Sequence, residues 1–464
     1  MIEDIEFKPI LEKAGSRGGE LAELFVEERI QTEILLEAGK IEQASIGISR
    51  GAGVRLLCES RTRYAYTNSL LKKDLLSLAE AVSQSADTSQ PAVIIPMEFQ
   101  PPKTYFKPEI LIPPDQIPLG EKIKLLKKAE EIARKYHKSI VQVRVRYFDL
   151  RRKIGIANSN GILARDETVQ TLFLVQVIAE KDGELQVGYE PVGGTQGFEL
   201  FKEYLPEQVA LTSAQRAVKM LKARKAPGGK MPVVLSAEAG GTMIHEAVGH
   251  GLEADLAEQG LSVYQNKLGK EVASKLITVI DDATIPGKRG SYQFDDEGMP
   301  SERTILVEKG VLVNYMYNLL EAMRAGKKST GNGRRESYRY PPLVRMSNTI
   351  ILPGESSPEQ IIRAVDFGLF VKKMGGGQVD TVSGDFIFEV NEGYLIEKGE
   401  VAEPVRGATL VGNGPQVLKE IDMVGNDLGF GIGTCGKDGQ GVPVADAQPT
   451  LRIPELVVGG AVNE

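Results

Sequence analysis

The spacing of two histidines sets the strongest constraint on how this chain can fold. His245 and His250 stand five positions apart within residues 237–256, AEAGGTMIHEAVGHGLEADL, whose apolar spacing predicts a helix. On a regular α-helix, five residues separate two side chains by about 140°, so both imidazoles cannot face one ion. A π-like turn of about 4.4 residues reduces that angle to roughly 50°. We therefore expect this helix to be overwound, broken or π-helical, with Gly249 and Gly251 making its backbone permissive.

A histidine followed directly by a glutamate, with a second histidine nearby, is typical of metallopeptidase helices. In such a site Glu246 would be the general base that takes a proton from water. A catalytic zinc site also needs a third protein ligand, and the candidates are Glu253, Asp255 and the distant Cys435. A thiolate between glycines is a strong zinc ligand. The same residues can also occur together by chance, and a lone cysteine is often inert.

Composition narrows the class of protein further. The chain has 464 residues, of which 42% are hydrophobic and 26% charged, as expected for a globular protein with more than one domain. A net charge of −7 without a long basic block gives no basis for direct binding of nucleic acid. We expect no signal peptide and no membrane-spanning segment. Two cysteines cannot form a disulfide framework, which favours a cytoplasmic location.

Sequence periodicity predicts several elements in the first half of the chain. Amphipathic helices are predicted at 70–86, 119–137 and 206–224. The eight prolines of residues 90–118 favour an extended crossover between the first two helices. Residues 139–190 alternate apolar and polar side chains between Asn-Gly and Asp-Gly turns, which predicts an antiparallel meander.

We predict an α+β fold in two domains, joined by a linker at residues 225–232, KAPGGKMP. Residues 1–224 form an N-terminal α/β domain with antiparallel strands and amphipathic helices. Residues 225–464 form a mostly β domain that carries the histidine-bearing helix, because glycine-punctuated strand patterns dominate there. In this domain PVVLS (232–236) is predicted as a buried strand and IIRAVDFGL (361–369) as a helix.

Two glycine-rich motifs suggest where an extended peptide could bind. GNGRRESY (331–338) carries Arg334 and Arg335, and GGGQVD (375–380) ends at Asp380. A peptide could pair with a strand edge at these glycines, and the arginines could meet its carboxylate. The alternative is that the glycines form turns and the arginines form structural ion pairs.

Several long motifs, in this order, resemble the TldD/PmbA family of peptidases, specifically its TldD-type catalytic subunit. They are KAPGGKMPVVLSAEAGGTMIHEAVGHGLEAD, DDEGMPSERTILVEKGVL, TGNGRRESYRYPPLVRMSNT, GGGQVDTVSGDFIFEVNEGYLIEKGE, VRGATLVGNGP and GTCGKDGQGVPVADAQPTLRI. The resemblance is dense from about residue 224 onward. The first half fits more loosely, through SIGISRGAGVRLL and NSNGILARDET.

The resemblance implies a zinc metallopeptidase with an HExxxH motif. By position, His245, His250 and Cys435 match the three protein ligands of the Zn²⁺ ion, and Glu246 matches the catalytic glutamate. The two remaining acidic candidates then become residues that orient a ligand through its other N–H.

The resemblance also implies partners and substrates. Family members pair with a related PmbA/TldE-type subunit that lacks the metal motif, and this heterodimer encloses the active site in a chamber. Pairing of the chain with itself, as a homodimer, stays open. The implied substrates are short or unfolded peptides, including leader peptides and labile antitoxins, and the family's link to DNA gyrase is taken as indirect. An alternative function is a non-catalytic peptide-binding subunit with an incidental metal. Nucleotide binding ranks last, because the glycine-rich loops lack a P-loop Lys-Ser/Thr and a strand–GxGxxG–helix context.

Overall fold

The computed structural model describes residues 5–86, 89–104 and 106–460. In the first half, six long strands form one antiparallel sheet, here called the N-terminal sheet, in the order β3-β2-β1-β4-β5-β6. The strands are β1 (Leu21–Glu37), β2 (Lys40–Cys58), β3 (Arg61–Thr67), β4 (Ile140–Asn158), β5 (Leu163–Lys181) and β6 (Glu184–Gly194). The helices are α1 (Phe7–Ala14), α2 (Lys72–Gln84), α3 (Leu119–Tyr136), α4 (Leu200–Glu203) and α5 (Pro206–Lys222), with a 3-10 turn at Pro114–Gln116.

Side-chain alternation gives the N-terminal sheet two different faces. In β1, Leu24 and Ile34 point toward the helices, where α1 and α2 cover one end of the sheet and α3 and α5 cover the other. Phe25 points the opposite way and packs with Phe294 and Tyr338 from the second half of the chain. The sheet is therefore buried on both faces, by its own helices and by the C-terminal half.

The second half is mostly β-structure. Its strands are β7 (Arg224–Lys225), β8 (Gly229–Leu235), β9 (Val279–Asp282), β10 (Arg303–Glu308), β11 (Val311–Leu312), β12 (Gly333–Arg334), β13 (Leu343–Val344), β14 (Asn348–Ile351), β15 (Phe367–Val379), β16 (Asp385–Glu397), β17 (Glu400–Arg406), β18 (Thr409–Asn413), β19 (Met423–Val424), β20 (Gly429–Lys437), β21 (Gln440–Gln448) and β22 (Leu451–Gly459). The helices are α6 (Thr242–Ile244), α7 (Ala254–Ala257), α8 (Leu319–Ala325), α9 (Pro358–Arg363) and α10 (Gly414–Glu420).

These strands form a barrel and a second sheet. The barrel closes through the ring β15-β8-β22-β18-β16, because β15 and β16 also pair with each other. The second sheet has the order β11-β10-β9-β14-β21-β20. The histidine-bearing segment lies in the largest hydrophobic core, where Ile244, Ala247 and Val248 pack with barrel residues such as Leu410 and with Met346. The α+β class and the mostly β second half are as predicted.

Most predicted elements of the first half are confirmed. The three amphipathic helices are α2, α3 and α5, and the meander is β4-β5-β6. The described residues of the proline-rich stretch 90–118 contain no α-helix, as the crossover requires. Among helices of the described residues, none is long and apolar enough to traverse a lipid bilayer.

Three predictions for the second half need correction or stay open. The helix predicted at 361–369 ends at Arg363, and Phe367 already begins β15, since the second half of that motif pairs in the barrel. The predicted linker 225–232 is largely held in β7 and β8, which pair with β17 and β22. PVVLS lies in β8 as expected. The division into residues 1–224 and 225–464 stays a prediction.

Candidate metal centre

The segment that carries the two histidines is a helix with one wide turn. After α6, residues His245–Gly249 are π-helical and residues His250–Leu252 form a 3-10 turn. The backbone N–H of His250 bonds to the carbonyl of His245, five residues back, as a π-helix requires. The π-helical turn, one of the three distortions predicted from the five-residue spacing, is therefore present. Gly249 has an ordinary φ of −55°, so its role is not conformational freedom.

This wide turn brings both imidazoles to the thiol of Cys435. One potential ligand atom from each of His245, His250 and Cys435 lies within 4.8 Å of the other two. Cys435 Sγ is 3.4 Å from His250 Nε2, and the two imidazole ring centroids are 5.1 Å apart. The cysteine reaches the helix from β20, in the second sheet, 185 positions along the chain from His250.

The three side chains fit a zinc ion. Two ligands of a tetrahedral zinc, with bonds of about 2.0–2.3 Å, are separated by roughly 3.5 Å, close to the observed 3.4 Å between sulfur and nitrogen. His245 Nδ1 is buried and has no hydrogen-bond partner among the described residues, which is costly for a neutral imidazole. Two imidazoles and a thiolate also form a donor set that zinc prefers over harder cations.

The electrostatics of the cluster favour a thiolate. Burial alone would raise the pKa of Cys435, but hydrogen bonds from His245 and His250 outweigh it and lower the pKa to about 5. Burial lowers the pKa of each imidazole, yet both pKa values end above the usual value. For His245 the facing Cys435 is responsible, and for His250 Glu253 acts together with that cysteine. Protons are thus shared between the Cys435 sulfur and the two imidazole rings. A bound metal cation would take the place of these protons.

A second group of side chains holds His250 from behind. Glu253 Oε2 accepts a hydrogen bond from His250 Nδ1 at 3.0 Å and another from Lys437 Nζ at 2.8 Å. Lys437 Nζ also donates to Asp255 Oδ1 at 2.7 Å. Burial alone would raise the pKa of Glu253, but Lys437 and His250 lower it to about 2. Because Glu253 fixes Nδ1 as the protonated nitrogen, Nε2 is left to face the cysteine.

The two acidic alternatives to Cys435 thus lie behind a ligand rather than in the cluster. Lys437, which connects them, is not singled out by any motif of the sequence. The strand pattern of β20 could have indicated Lys437, because the side chains of residues 435 and 437 lie on the same face of the strand.

Glu246 lies beside the cluster on the wall of an open cavity of 620 Å³, together with His250 and Lys437. Its side chain is partly exposed, whereas His245 is only 5% exposed. Val379 and Thr381, at the end of β15, line the same cavity. A carboxylate, a metal-ligand cluster and solvent-accessible space are thus adjacent.

The three residues predicted to bind substrate are not among the clustered ligand residues, although Asp380 lies between two residues that line the cavity. Arg334 donates to the carbonyls of Met346 and Pro443, and Arg335 forms a buried ion pair with Glu23 at 2.6 Å. Asp380 is exposed, and its Oδ1 accepts hydrogen bonds from the backbone N–H groups of residues 382 and 383. The ion pair of Arg335 matches the structural alternative, whereas Arg334 binds backbone carbonyls instead, and roles in substrate binding stay predictions.

Comparison with known proteins identifies the family. Three family models match the chain: PmbA/TldA metallopeptidase domain 1 at residues 22–86, the central domain at 112–221 and the C-terminal domain at 228–460. The metalloprotease TldD homolog of Haemophilus influenzae is 38% identical over 96% of this chain and 94% of its own length. The zinc metalloprotease TldD homolog of Saccharolobus solfataricus is 26% identical over 97% of this chain and 99% of its own.

A solved structure shares the fold. TldE from Thermococcus kodakarensis superposes with a TM-score of 0.77 at 18% identity, covering 98% of this chain and 100% of its own. At that identity the likeness shows the fold alone. The barrel, the bent helix and the family models together place the protein among the metallopeptidases. The chain belongs to the TldD/PmbA family, and its curated relatives bear the name TldD.

Proposed function

We propose that the protein is a zinc-dependent peptidase whose metal is held by His245, His250 and Cys435 and whose general base is Glu246. The observation that carries this proposal is the approach of three potential ligand atoms to within 4.8 Å of one another, beside a cavity lined by Glu246. Zinc is favoured by the donor set, and the Saccharolobus relative is named a zinc metalloprotease. When bound, zinc would polarise the scissile carbonyl and lower the pKa of a coordinated water.

The protein's own residues supply proton transfer and orientation. Glu246 takes a proton from the attacking water and delivers it to the leaving nitrogen, since its carboxylate lies on the cavity wall together with His250. His250 is kept in one tautomer by Glu253, and Lys437 keeps Glu253 in place. His250, Glu253 and Lys437 are held by these hydrogen bonds before substrate arrives, which lowers the cost of organising the reaction.

We infer that the substrate is a short or unfolded peptide bound in extended form. Beyond Val371, the edge of β15 opposite β16 has no partner strand among the described residues, and glycines 375–377 lie along it. The strand then leads to Val379 at the cavity. A peptide pairing with this edge would be recognised through its main chain, with little demand on its sequence.

The assembly and location form part of the same proposal. We propose that the chain works in the cytoplasm, paired with a PmbA/TldE-type subunit or with itself, and that this pairing encloses the cavity in a chamber. The fold shared with TldE is the supporting observation, because two chains of one fold can form pseudosymmetric pairs.

The test separates metal binding from catalysis. Purified wild-type protein should contain one zinc per chain by elemental analysis, and His245→Ala should lose it. Glu246→Gln should keep the zinc and lose cleavage of a fluorogenic peptide by at least about 100-fold, the lower range for a general base. Loss of zinc from Glu246→Gln would make Glu246 a ligand rather than a base. A wild-type protein that binds zinc but cleaves nothing, alone or with its partner subunit, would support the alternative of a non-catalytic peptide-binding subunit.

A further inference from the structure

Two arginines away from the metal centre lack an acidic partner. Arg29 and Arg334 form no ion pair with any carboxylate of the described residues, whereas Arg152 pairs with Glu27 and Asp296, and Arg335 pairs with Glu23. Arg334 is only 6% exposed, and Arg29 is half-buried with its Nε fully buried. A buried guanidinium that forms no ion pair is costly, so the placement of these two arginines needs an explanation.

Both arginines line a small, partly open cavity that the proposed peptidase does not use. It measures about 80 Å³ and lies between the N-terminal sheet and residues 441–443 of β21. Arg29, Arg152, Arg334 and Arg335 all line it. At roughly 10–15 Å³ per water, it has room for about five waters or for one ion with three or four oxygens.

The residues that line the cavity carry more unpartnered hydrogen-bond donors than unpartnered acceptors. Arg29 Nε, Arg152 Nη2 and Arg335 Nε are buried and have no partner among the described residues. Two of the four lining carboxylates are engaged by hydrogen bonds or ion pairs from other residues of the cavity wall. Asp296 is bound by Arg152 and by the backbone of Arg335, and the backbone of Gly441 donates to Glu336.

The two remaining acids, Asp166 and Asp295, reduce the excess of unpartnered donors only slightly. Both oxygens of Asp295 accept backbone hydrogen bonds, and burial raises its pKa well above the usual value. Asp166 keeps Oδ2 unpartnered, and burial raises its pKa to about 6, so it gives up its charge more readily than an ordinary aspartate. Three unpartnered guanidinium nitrogens and one unpartnered carboxylate oxygen therefore belong to residues that line the cavity.

We propose that this cavity binds one small oxyanion, of the phosphate or carboxylate type, through Arg29, Arg152 and Arg335 with Arg334 alongside. Guanidinium groups match such anions because their N–H donors are planar and can bind two oxygens at once. The anion would join β1 and β4, which carry Arg29 and Arg152, to Arg335 directly after β12. β21 borders the same cavity, and its Val442 lies opposite Cys435 in the β20–β21 pair. The anion would thereby tie the N-terminal sheet to the hairpin that carries the metal ligand.

The experiment measures anion binding to the full-length, zinc-loaded protein. Thermal unfolding is followed with increasing inorganic phosphate or acetate at constant ionic strength, and the dissociation constant is obtained by calorimetry. The wild type should show a saturable rise in Tm with one of the two anions, which also tells a phosphate-type from a carboxylate ligand. Arg29→Gln should weaken that binding at least about tenfold, the effect of one charge-assisted contact. Arg452→Gln, which removes a surface ion pair with Asp422, is the matched control and should leave binding unchanged.

A second variant keeps the test decisive if removal of an arginine disturbs folding. Gln170 lines the cavity, and Gln170→Glu would place a carboxylate there. It should lose the response to anions and, in their absence, unfold at the same temperature as the wild type or higher. The absence of a saturable response in the wild type would overturn the proposal. A response kept in both Arg29→Gln and Gln170→Glu, or a clear loss of stability in Gln170→Glu, would overturn it as well.

Discussion

At the scale of single residues, Lys437 binds the fully buried carboxylate of Glu253 and the partly buried carboxylate of Asp255 with one ammonium group. Its Nζ lies 2.8 Å from Glu253, which is fully buried, and 2.7 Å from Asp255. Burial raises the pKa of Asp255 to about 6 despite this contact, so this carboxylate depends on the lysine to remain ionised. The ammonium group therefore determines the charge of the carboxylate that orients His250.

We expect Lys437→Met to destabilise the protein by about 3–5 kcal/mol, because it removes the ammonium group that neutralises the buried Glu253 and the partly buried Asp255. Zinc affinity should fall about 10–100-fold, since Glu253 is no longer held against His250. Urea unfolding and competition with a zinc chelator measure the two effects. Lys230→Met, which removes an exposed pair with Glu455, should change neither by much. Unchanged zinc affinity in Lys437→Met would show that the lysine has only a structural role.

The residues of the metal centre differ in how far the sequence reveals them. His245, Glu246 and His250 lie close together in the chain, so their spacing and chemistry alone predict a shared site. Cys435 is one of three candidates on residue chemistry alone, and the resemblance to a family singles it out. Lys437 cannot be found in this way, because a lysine has no ligand chemistry and its partner Glu253 lies 184 positions away.

At the scale of elements, the π-helical turn is held by close packing at Gly249. A Cβ atom there would overlap Met346 Sδ, and Met346 is completely buried. Gly249→Ala should therefore cost about 1–3 kcal/mol, the usual effect of overpacking a core, and should reduce zinc content by shifting His250. Gly249→Ala combined with Met346→Ala should recover part of the zinc. Urea unfolding and elemental analysis provide the measurements.

Gly120→Ala is the matched control for that substitution. Gly120 lies in α3, where a Cβ would meet nothing within 4 Å, so alanine should stabilise the protein by about 0.5–1 kcal/mol. Equal effects of the two glycine substitutions would show that packing at Gly249 does not hold the turn.

Helices and strands could be predicted where local sequence periodicity determines them. They could not be predicted where contacts with residues far along the chain determine them. The helices α2, α3 and α5 have a clear apolar stripe, and each is present as expected. No pattern pointed to β1, the centre of the N-terminal sheet, whose buried Glu23 and Glu27 interrupt its apolar alternation. One partner of Glu23 is Arg335, 312 positions away, which no local pattern can reveal.

At the scale of the whole molecule, an ion cluster joins the N-terminal helices to the barrel. Arg216 of α5 lies 2.8 Å from Glu392 of β16, and Lys219 and Tyr394 also bond to that carboxylate. Glu392 is 3% exposed. Burial alone would raise the pKa of Glu392, but Tyr394 and Arg216 outweigh it and lower the pKa to about 2.

The sign of this shift sets the dependence of stability on pH. Because the pKa of Glu392 is depressed in the folded state, its contribution is complete above the ordinary pKa of about 4.3 and is lost as the pH falls toward about 2. Glu392→Gln should therefore lower the free energy of unfolding by about 2 kcal/mol at pH 7, and the difference from the wild type should shrink between pH 4.5 and 3. Urea unfolding of both proteins at pH 7, 4.5 and 3 measures this, and loss of zinc at low pH affects both alike. Glu455→Gln, at an exposed site, should show no such trend. A difference that stays constant across the three pH values would mean that side-chain packing, rather than charge, holds the two halves together at this cluster. A charged contact must weaken as Glu392 takes up its proton.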